Sequence, residues 1–170
     1  MTSRSFLRTP SEAAGPGDEA TIQDLVDTLE ANRSRCVGMA ANMIGVGKRI
    51  IVFVDEDLGG RITVMLNPVI TASDGAFDTQ EGCLSLTGER RTLRYRRIEV
   101  NYENRRFRAR HATFAGWTAQ IIQHEVDHCN GIIIGLSLFG VGEWGGGGGA
   151  GRVVWGYGYH VVVHRRPATA

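Results

Sequence analysis

At 170 residues, the chain has the length of one ordinary domain and can bury a hydrophobic core. Hydrophobic residues make up 42% and charged residues 22%, which is typical of a globular protein and excludes a largely disordered chain. The net charge of +1 and the absence of any apolar run of membrane-spanning length argue against a nucleic-acid-coating or membrane protein.

The N-terminal segment and the cysteines both predict a cytoplasmic location. Residues 1–20 lack the apolar segment of a signal peptide, so we expect a cytoplasmic protein. They mix proline, glycine, serine and acidic residues without periodicity, which predicts a loosely held arm. The three cysteines, Cys36, Cys83 and Cys129, are widely spaced and odd in number. This argues against a disulfide framework and leaves metal-ligand or buried-thiol roles.

The first periodic segment lies over residues 21–32, where apolar residues recur at helical spacing and predict a short amphipathic helix. Residues 49–54 predict a buried strand, and residues 57–60 a hairpin turn into the next strand. We expect that strand to end at Asn67-Pro68, because proline cannot donate to a strand ladder. A loop through residues 73–75 is expected to follow.

An arginine-rich segment over residues 92–114 alternates in places and predicts two antiparallel strands with a turn at Glu103-Asn104. Nine arginines lie between residues 90 and 110. A solvated outer strand face is the ordinary interpretation, and a surface that meets ribosomal RNA is the alternative. The nine are Arg90, Arg91, Arg94, Arg96, Arg97, Arg105, Arg106, Arg108 and Arg110.

The strongest pattern in the chain spans residues 115–131. Ile121, Ile122 and Val126 recur at helical spacing, which predicts a buried helix. Gly116 is expected to begin it, and Gly131 suits the position just beyond its end, where the backbone takes a left-handed conformation.

This helix carries the H-E-x-x-H arrangement. His124 and His128 project from one face, one turn apart, so both imidazoles can bind one metal ion with Glu125 beside them to handle protons. Incidental placement of these groups on a buried helix would carry an uncompensated desolvation cost. Gln123 and Asp127 are candidates for steadying the ligands, and a solvated position is an equal alternative for Asp127.

A third ligand is needed to complete such a site. Glu143, His160 and His164 lie in or beyond a glycine tract, and we expect them to be incidental. Cys83 is the better candidate, because a thiolate with two imidazoles leaves a fourth position for water. The rival thiol, Cys129, would point about 100° away from the neighbouring histidine ring and is expected to be a small buried hydrophobe.

The element order predicts an α+β fold with antiparallel sheets packed around the central metal-binding helix. Residues 132–139 resemble a short strand and its exit. We divide the chain into an arm over 1–20, a catalytic domain over 21–139 and a glycine-rich tail over 140–170. Disorder and an added edge strand are both open for the tail.

Three motifs in this order resemble the peptide deformylase family: the glycine-alanine segment 36–43, Glu-Gly-Cys-Leu-Ser at 81–85 and the histidine motif at 124–128. They are spread over roughly residues 20–138. The family removes the N-formyl group from the initiator methionine of nascent bacterial polypeptides. The resemblance therefore implies a deformylase-like fold, N-formylmethionyl peptides as substrates and release of formate.

The resemblance also implies individual roles. Cys83, His124 and His128 would hold one divalent metal ion, and Glu125 would be the general acid and base. The family typically uses Fe²⁺, with Zn²⁺, Ni²⁺ or Co²⁺ able to occupy the site, whereas ligand softness alone would favour zinc. The backbone N–H of Leu84 would stabilise the negative charge that develops on the formyl oxygen.

The first motif departs from the family pattern G-x-G-x-A-A-x-Q. Cys36 stands at the first glycine, and Met43 takes the catalytic position of a glutamine that donates a hydrogen bond to the formyl oxygen. A thioether cannot donate, and loss of one such donor typically lowers the rate by about two orders of magnitude. Either another group such as Asn42 supplies the donor, or the enzyme is slower or specialised.

The same resemblance places the substrate. Val37, Trp117 and Ile121 occupy positions that match the methionine pocket, although each would also suit an ordinary core. Gly38 is expected to pair its backbone with the extended peptide. In the family a C-terminal helix is implicated in ribosome docking, and the glycine tract of this chain does not resemble such a helix. We expect a monomer. A contact with the ribosome near the nascent-chain exit would use another surface.

Two other functions are open from sequence. One is a deformylase-like amidohydrolase that acts on another formyl or acyl amide, which the methionine at position 43 makes plausible. The other is a metal-containing protein that binds nascent N-termini with weak turnover. Release of formate from formyl-Met-Ala separates these from the first interpretation.

Overall fold

The computed structural model of the protein describes residues 3–83, 89–134, 140–142, 153–156 and 159–162. The chain divides into two compact units, Met1–Gly135 and Leu136–Ala170. None of the helices in the described part is long and apolar enough to cross a membrane.

The described residues of the first unit form three α-helices, beside three short 3-10 helices. The α-helices are α1 (Arg4–Leu7), α2 (Glu19–Ala31) and α3 (Gly116–Cys129). The amphipathic helix predicted over residues 21–32 is confirmed by α2, which fully buries Ile22, Leu25 and Leu29. These three side chains join the core between α2 and the sheet.

Five strands form one antiparallel sheet in the order β1-β2-β3-β4-β5. They are β1 (Gly38–Ala40), β2 (Ile50–Asp55), β3 (Arg61–Gly82), β4 (Glu89–Glu103) and β5 (Ala109–Ala115). The sheet confirms the predicted α+β fold, the buried strand near residues 49–54 and the turns that follow Glu56 and Glu103.

Strand β3 runs through both of its predicted interruptions, so those two predictions are wrong. Its pairing with β4 shifts register between Leu66 and Val69, and Asn67 has a φ of 52°. Such a bulge accommodates Pro68, which has no N–H to donate. Residues 73–75 lie inside the strand, because the long partner β4 pairs on past the local turn signal.

The N-terminal segment is attached to the domain, and the prediction of a loose arm is wrong. Leu7 is only 2% exposed. The N–H of Ser11 donates to the carbonyl of Cys129 at 2.8 Å, and the N–H of Ala14 donates to Oδ1 of Asn67 at 2.8 Å. These contacts need tertiary partners far along the chain, which local composition does not reveal.

Helix α3 lies against the sheet and contacts β1, β2 and β4. Ten of its 14 residues are buried, so it is enclosed on most sides rather than on one stripe. Its end is fixed by Gly131, which has a φ of 72° and sits where a Cβ would collide with the backbone carbonyl of Arg8. The predicted central helix is therefore confirmed, including both bounding glycines.

The residues of the second unit that the structure describes form three short strands, which pair antiparallel in the order β6-β7-β8. They are β6 (Gly140–Gly142), β7 (Val153–Gly156) and β8 (Tyr159–Val162). The strand predicted over residues 132–139 is wrong for 132–134, which are not in a strand, and residues 135–139 lie outside the described part. The predicted division of the chain at residues 20 and 139 stays a prediction.

Candidate metal centre and active site

Three potential metal ligands converge where β3 ends beside α3. Sγ of Cys83 lies 3.3 Å from Nε2 of His128, and the rings of His124 and His128 are 4.9 Å apart between centroids. One ligand atom from each of the three residues lies within 4.8 Å of the others. A thiolate and two imidazoles suit a divalent transition metal, so the residues present fit the metal that the motifs imply.

A buried carboxylate orients one of these ligands. Oε2 of Glu81 accepts a hydrogen bond from Nδ1 of His124 at 2.9 Å, which leaves Nε2 of that ring available for a metal. Burial alone would raise the pKa of Glu81, but hydrogen bonds from Arg94 and His124 lower it to about 2. Glu81 is therefore an anion at neutral pH.

Arg94 joins this carboxylate to the metal helix. Its Nε and one terminal nitrogen donate to the two oxygens of Glu81, each at 2.8 Å, and the other terminal nitrogen donates to Oδ2 of Asp127 at 2.6 Å. Arg94 is 5% exposed, so its predicted place on a solvated face is wrong. Asp127 is therefore connected to the candidate ligand His124 indirectly, by hydrogen bonds through Arg94 and Glu81.

Sequence reasoning assigned no role to Glu81 and missed Arg94. One signal was present, because Arg94 has the same strand parity as the buried Ile98 and Val100 and so belongs on the inward face. Gln123 also links helix α3 to strand β4. Its amide accepts from the N–H of Tyr95 and donates to the carbonyl of the same residue, both at 2.9 Å.

Glu125 is enclosed beside the ligands. It is 3% exposed, its Oε2 is buried without a hydrogen-bond partner in the described part of the chain, and burial raises its pKa. Gly38 lies directly against it. A Cβ at Gly38 would stand 2.7 Å from Oε1 of Glu125 and 2.6 Å from Cγ2 of Ile121, so only glycine fits this close approach.

A cleft of about 600 Å³ opens over these groups. The four residues predicted to bind substrate all line it: Val37, Gly38, Trp117 and Ile121. Val37 and Trp117 are 38% and 47% exposed, so they are not ordinary core residues, whereas Ile121 is buried at the floor. Exposed apolar side chains beside polar and titratable groups are typical of a ligand site.

Comparison with known proteins agrees with this geometry. The family model described as polypeptide deformylase matches residues 3–137. A peptide deformylase of Clostridium beijerinckii is 54% identical over 129 residues, covering 76% of this chain and 93% of the relative. The chain belongs to the polypeptide deformylase family. As a peptide deformylase it hydrolyses the N-formyl group from nascent polypeptides.

Solved deformylase structures share the fold. The peptide deformylase of Thermus thermophilus superposes with a TM-score of 0.69 at 32% identity, over 79% of this chain and 80% of that one. The enzyme from Legionella pneumophila gives a TM-score of 0.69 at 32% identity, over 76% and 78% of the two chains. The α+β fold of the deformylase is therefore the family fold.

The departures from the family motif lie at the cleft wall. Met43 lines the cleft and Asn42 does not, although the two are adjacent. Nδ2 of Asn42 instead donates to the carbonyl of His128 at 2.7 Å, in a position that is 1% exposed. The alternative that Asn42 donates to the formyl oxygen is therefore wrong for this arrangement. Cys36 also lines the cleft, and its thiol donates to the carbonyl of Gly38 at 2.9 Å.

Several residues considered from sequence fall elsewhere. Cys129 is fully buried outside the ligand group, and burial raises its pKa to about 12, so it stays a neutral thiol. Leu84, Glu143 and His164 lie outside the described residues. The role of the Leu84 N–H in this deformylase stays a prediction.

Proposed function

We propose that this deformylase is a metal-dependent hydrolase in which Cys83, His124 and His128 hold the ion and Glu125 handles protons. The observation that carries the proposal is the meeting of one sulfur and two ring nitrogens within 4.8 Å of one another beside a buried carboxylate. When bound, the metal supplies Lewis-acid chemistry that acidifies a water molecule and polarises the formyl carbonyl.

Glu125 carries the proton chemistry in this proposal. Its carboxylate accepts a proton from the attacking water and returns it to the leaving amine nitrogen, so that formate and a free amino terminus separate. The raised pKa suits both steps, because a proton shuttle works best when its pKa lies near the operating pH. The enclosed position keeps bulk water from competing for that proton.

Fe²⁺ is the metal we propose, with Zn²⁺, Ni²⁺ or Co²⁺ able to substitute. The donor set of one thiolate and two imidazoles supports any of the four, and the resemblance to the family supports iron. Metal analysis of protein purified without oxygen tests the choice. Zinc at full occupancy, with no rate gain on exchange for iron, would reject it.

The substrate enters the cleft with its methionine side chain among Val37, Trp117 and Ile121. Gly38 lies at the edge strand β1, where its backbone can pair with the extended peptide. The N–H of Leu84 is proposed to hold the formyl oxygen. Met43 cannot assist it, so we propose that the enzyme is slower than a glutamine-containing deformylase or specialised in its substrates.

Formate release from formyl-Met-Ala, with Fe²⁺ and without oxygen, tests the assignment of roles. Glu125→Ala is expected to abolish turnover while the metal stays bound. Cys83→Ala is expected to empty the site, whereas the matched thiol variant Cys129→Ala keeps the metal. Metal retained in Cys83→Ala and lost in Cys129→Ala would reject the ligand set, and activity confined to other acyl amides would reject the substrate.

We also propose a cytoplasmic monomer that contacts ribosomes through the arginines of β4 and of the turn that leads into β5. Eight of the nine arginines between residues 90 and 110 are exposed or half-buried, which supports a phosphate-binding face. Co-sedimentation with ribosomes should weaken steeply as salt rises. Light scattering measures the oligomeric state, and no co-sedimentation at low salt would reject the ribosome contact.

A further inference from the structure

One charged side chain stands at the rim of the cleft and has no part in the proposed chemistry. Arg35 lines the cleft and is exposed. Its Nε and one terminal nitrogen both donate to Oδ1 of Asn32, at 3.0 and 2.6 Å. Asn32 caps the end of α2, and its own Nδ2 donates to the carbonyl of Thr28 at 2.7 Å. The guanidinium is therefore held in place rather than free in solvent.

Arg35 lies along the path that the peptide is proposed to take. The carbonyl of Val37 accepts from the N–H of Val54 on β2, so the alternate residues Cys36 and Gly38 present their backbone away from β2. Because β1 is an end strand of the sheet among the described residues and Gly38 lines the cleft, this edge is open to an extended peptide. Arg35 lies just before β1, at the end of the turn formed by residues 32–35, where its N–H donates to the carbonyl of Asn32 at 2.9 Å.

The groups that line the cleft narrow down which peptide residue can reach Arg35. Gly38 lies against Glu125, where the formyl group reacts. The methionine side chain is proposed to lie among Val37, Trp117 and Ile121, and Arg35 lines the same cleft. The guanidinium is therefore available to a residue that follows the formylmethionine, at the second or third position of the peptide.

We infer that Arg35 is a specificity-determining residue that favours nascent chains with an acidic side chain at the second or third position. This inference rests on the proposed function, because it takes the formyl group to react beside Glu125. A planar guanidinium suits a carboxylate partner, since it can donate two parallel hydrogen bonds. The two hydrogen bonds to Asn32 fix the plane of the guanidinium, and its remaining N–H groups can donate to the substrate.

The cleft lining also carries a charge of the other sign. Glu89, at the start of β4, lines the cleft together with Arg35. Successive side chains of an extended peptide point to opposite faces, so one peptide can present different residues to the two charges. Comparing Glu, Gln and Lys at both positions separates the two contributions.

The expected effect is modest and salt-dependent. An exposed ion pair contributes little, which corresponds to about a twofold to fivefold gain in kcat/KM for an acidic peptide over a neutral one. It should appear in KM rather than kcat, because the charge contact is the same in the ground state and the transition state. Raising the salt concentration should shrink it.

The test compares formyl-Met-X-Ala and formyl-Met-Ala-X amides in which X is Glu, Gln or Lys. The C-terminal amide removes a competing carboxylate. The intact enzyme is expected to prefer Glu at one of the two positions. Arg35→Gln should abolish this preference, and Arg35→Glu should reverse it toward Lys. Arg33→Gln is the matched control, because Arg33 is exposed, pairs with Glu30 at 3.1 Å and does not line the cleft.

Equal kcat/KM for Glu, Gln and Lys peptides at both positions would overturn the inference, as would equal loss of preference in Arg33→Gln. Turnover of formyl-Met-Ala-Ala amide by the same preparations reports on the proposed function separately. Calorimetric affinities of the deformylated products Met-Glu-Ala and Met-Ala-Glu amides, against their glutamine counterparts, test Arg35 even where turnover is lost. Identical affinities there would reject the charge contact by itself.

Discussion

The buried contact between Arg94 and Glu81 makes a quantitative prediction about stability and metal retention. Replacing Arg94 by methionine keeps much of its volume and removes three charge-assisted hydrogen bonds, two to Glu81 and one to Asp127. Asp127 has a side chain that is 16% exposed and can recover some water, whereas Glu81 at 7% cannot. Among the described residues, Glu81 would keep its contacts with His124 and Gln120.

Removing one partner of a buried ion pair typically costs about 3–5 kcal/mol, because the other charge stays buried. We expect Arg94→Met to lower the free energy of unfolding by about 3 kcal/mol or more, a large share of the about 5–15 kcal/mol that stabilises a domain. Metal affinity should also fall, by about 10–100-fold, because Glu81 no longer holds the His124 ring in one orientation.

Urea unfolding of the metal-loaded and chelated proteins measures the first quantity, and competition with a chromophoric chelator measures the second. Arg91→Met, on an exposed position of the same strand, is the control and should change stability by no more than about 0.5 kcal/mol. Adding Glu81→Gln to Arg94→Met should recover part of the stability but not the metal affinity. If Arg94→Met unfolds like Arg91→Met, the reasoning is refuted.

Three further predictions concern the cleft and the thiols. Met43→Gln restores a side-chain donor and should raise kcat on formyl-Met-Ala by about tenfold or more; an unchanged or lower kcat would show that the position no longer serves the formyl oxygen. Gly38→Ala should reduce kcat/KM by at least about 100-fold by displacing the general base, while Gly17→Ala, at an open position, should be silent; near-normal activity in the first variant would contradict the close approach. Chelation should expose Cys83 to iodoacetamide at pH 8 but leave Cys129 unmodified, because burial raises the pKa of that thiol to about 12; peptide mapping showing Cys129 labelled first would contradict this.

The local spacing of residues was sufficient to predict the metal-binding helix α3 from the sequence. A period of about 3.6 residues puts His124 and His128 on one face whatever surrounds them. The glycine after the helix could be predicted for the same reason, because its left-handed conformation is a local requirement. Cys83 was predicted as the third ligand from its thiolate chemistry and from the motif order, and the structure brings its sulfur to the two rings.

The features that the sequence did not reveal depend on pairing between distant segments of the chain. Arg94 meets Glu81 and Asp127 because β4 lies beside β3 and under α3, a register that no local pattern contains. Strand β3 continues through Asn67-Pro68 for the same reason: pairing with β4 along its length outweighs a local break that one bulge can absorb. Charge and turn preferences are properties of single residues, whereas burial and partners depend on which distant segments the folded chain brings together.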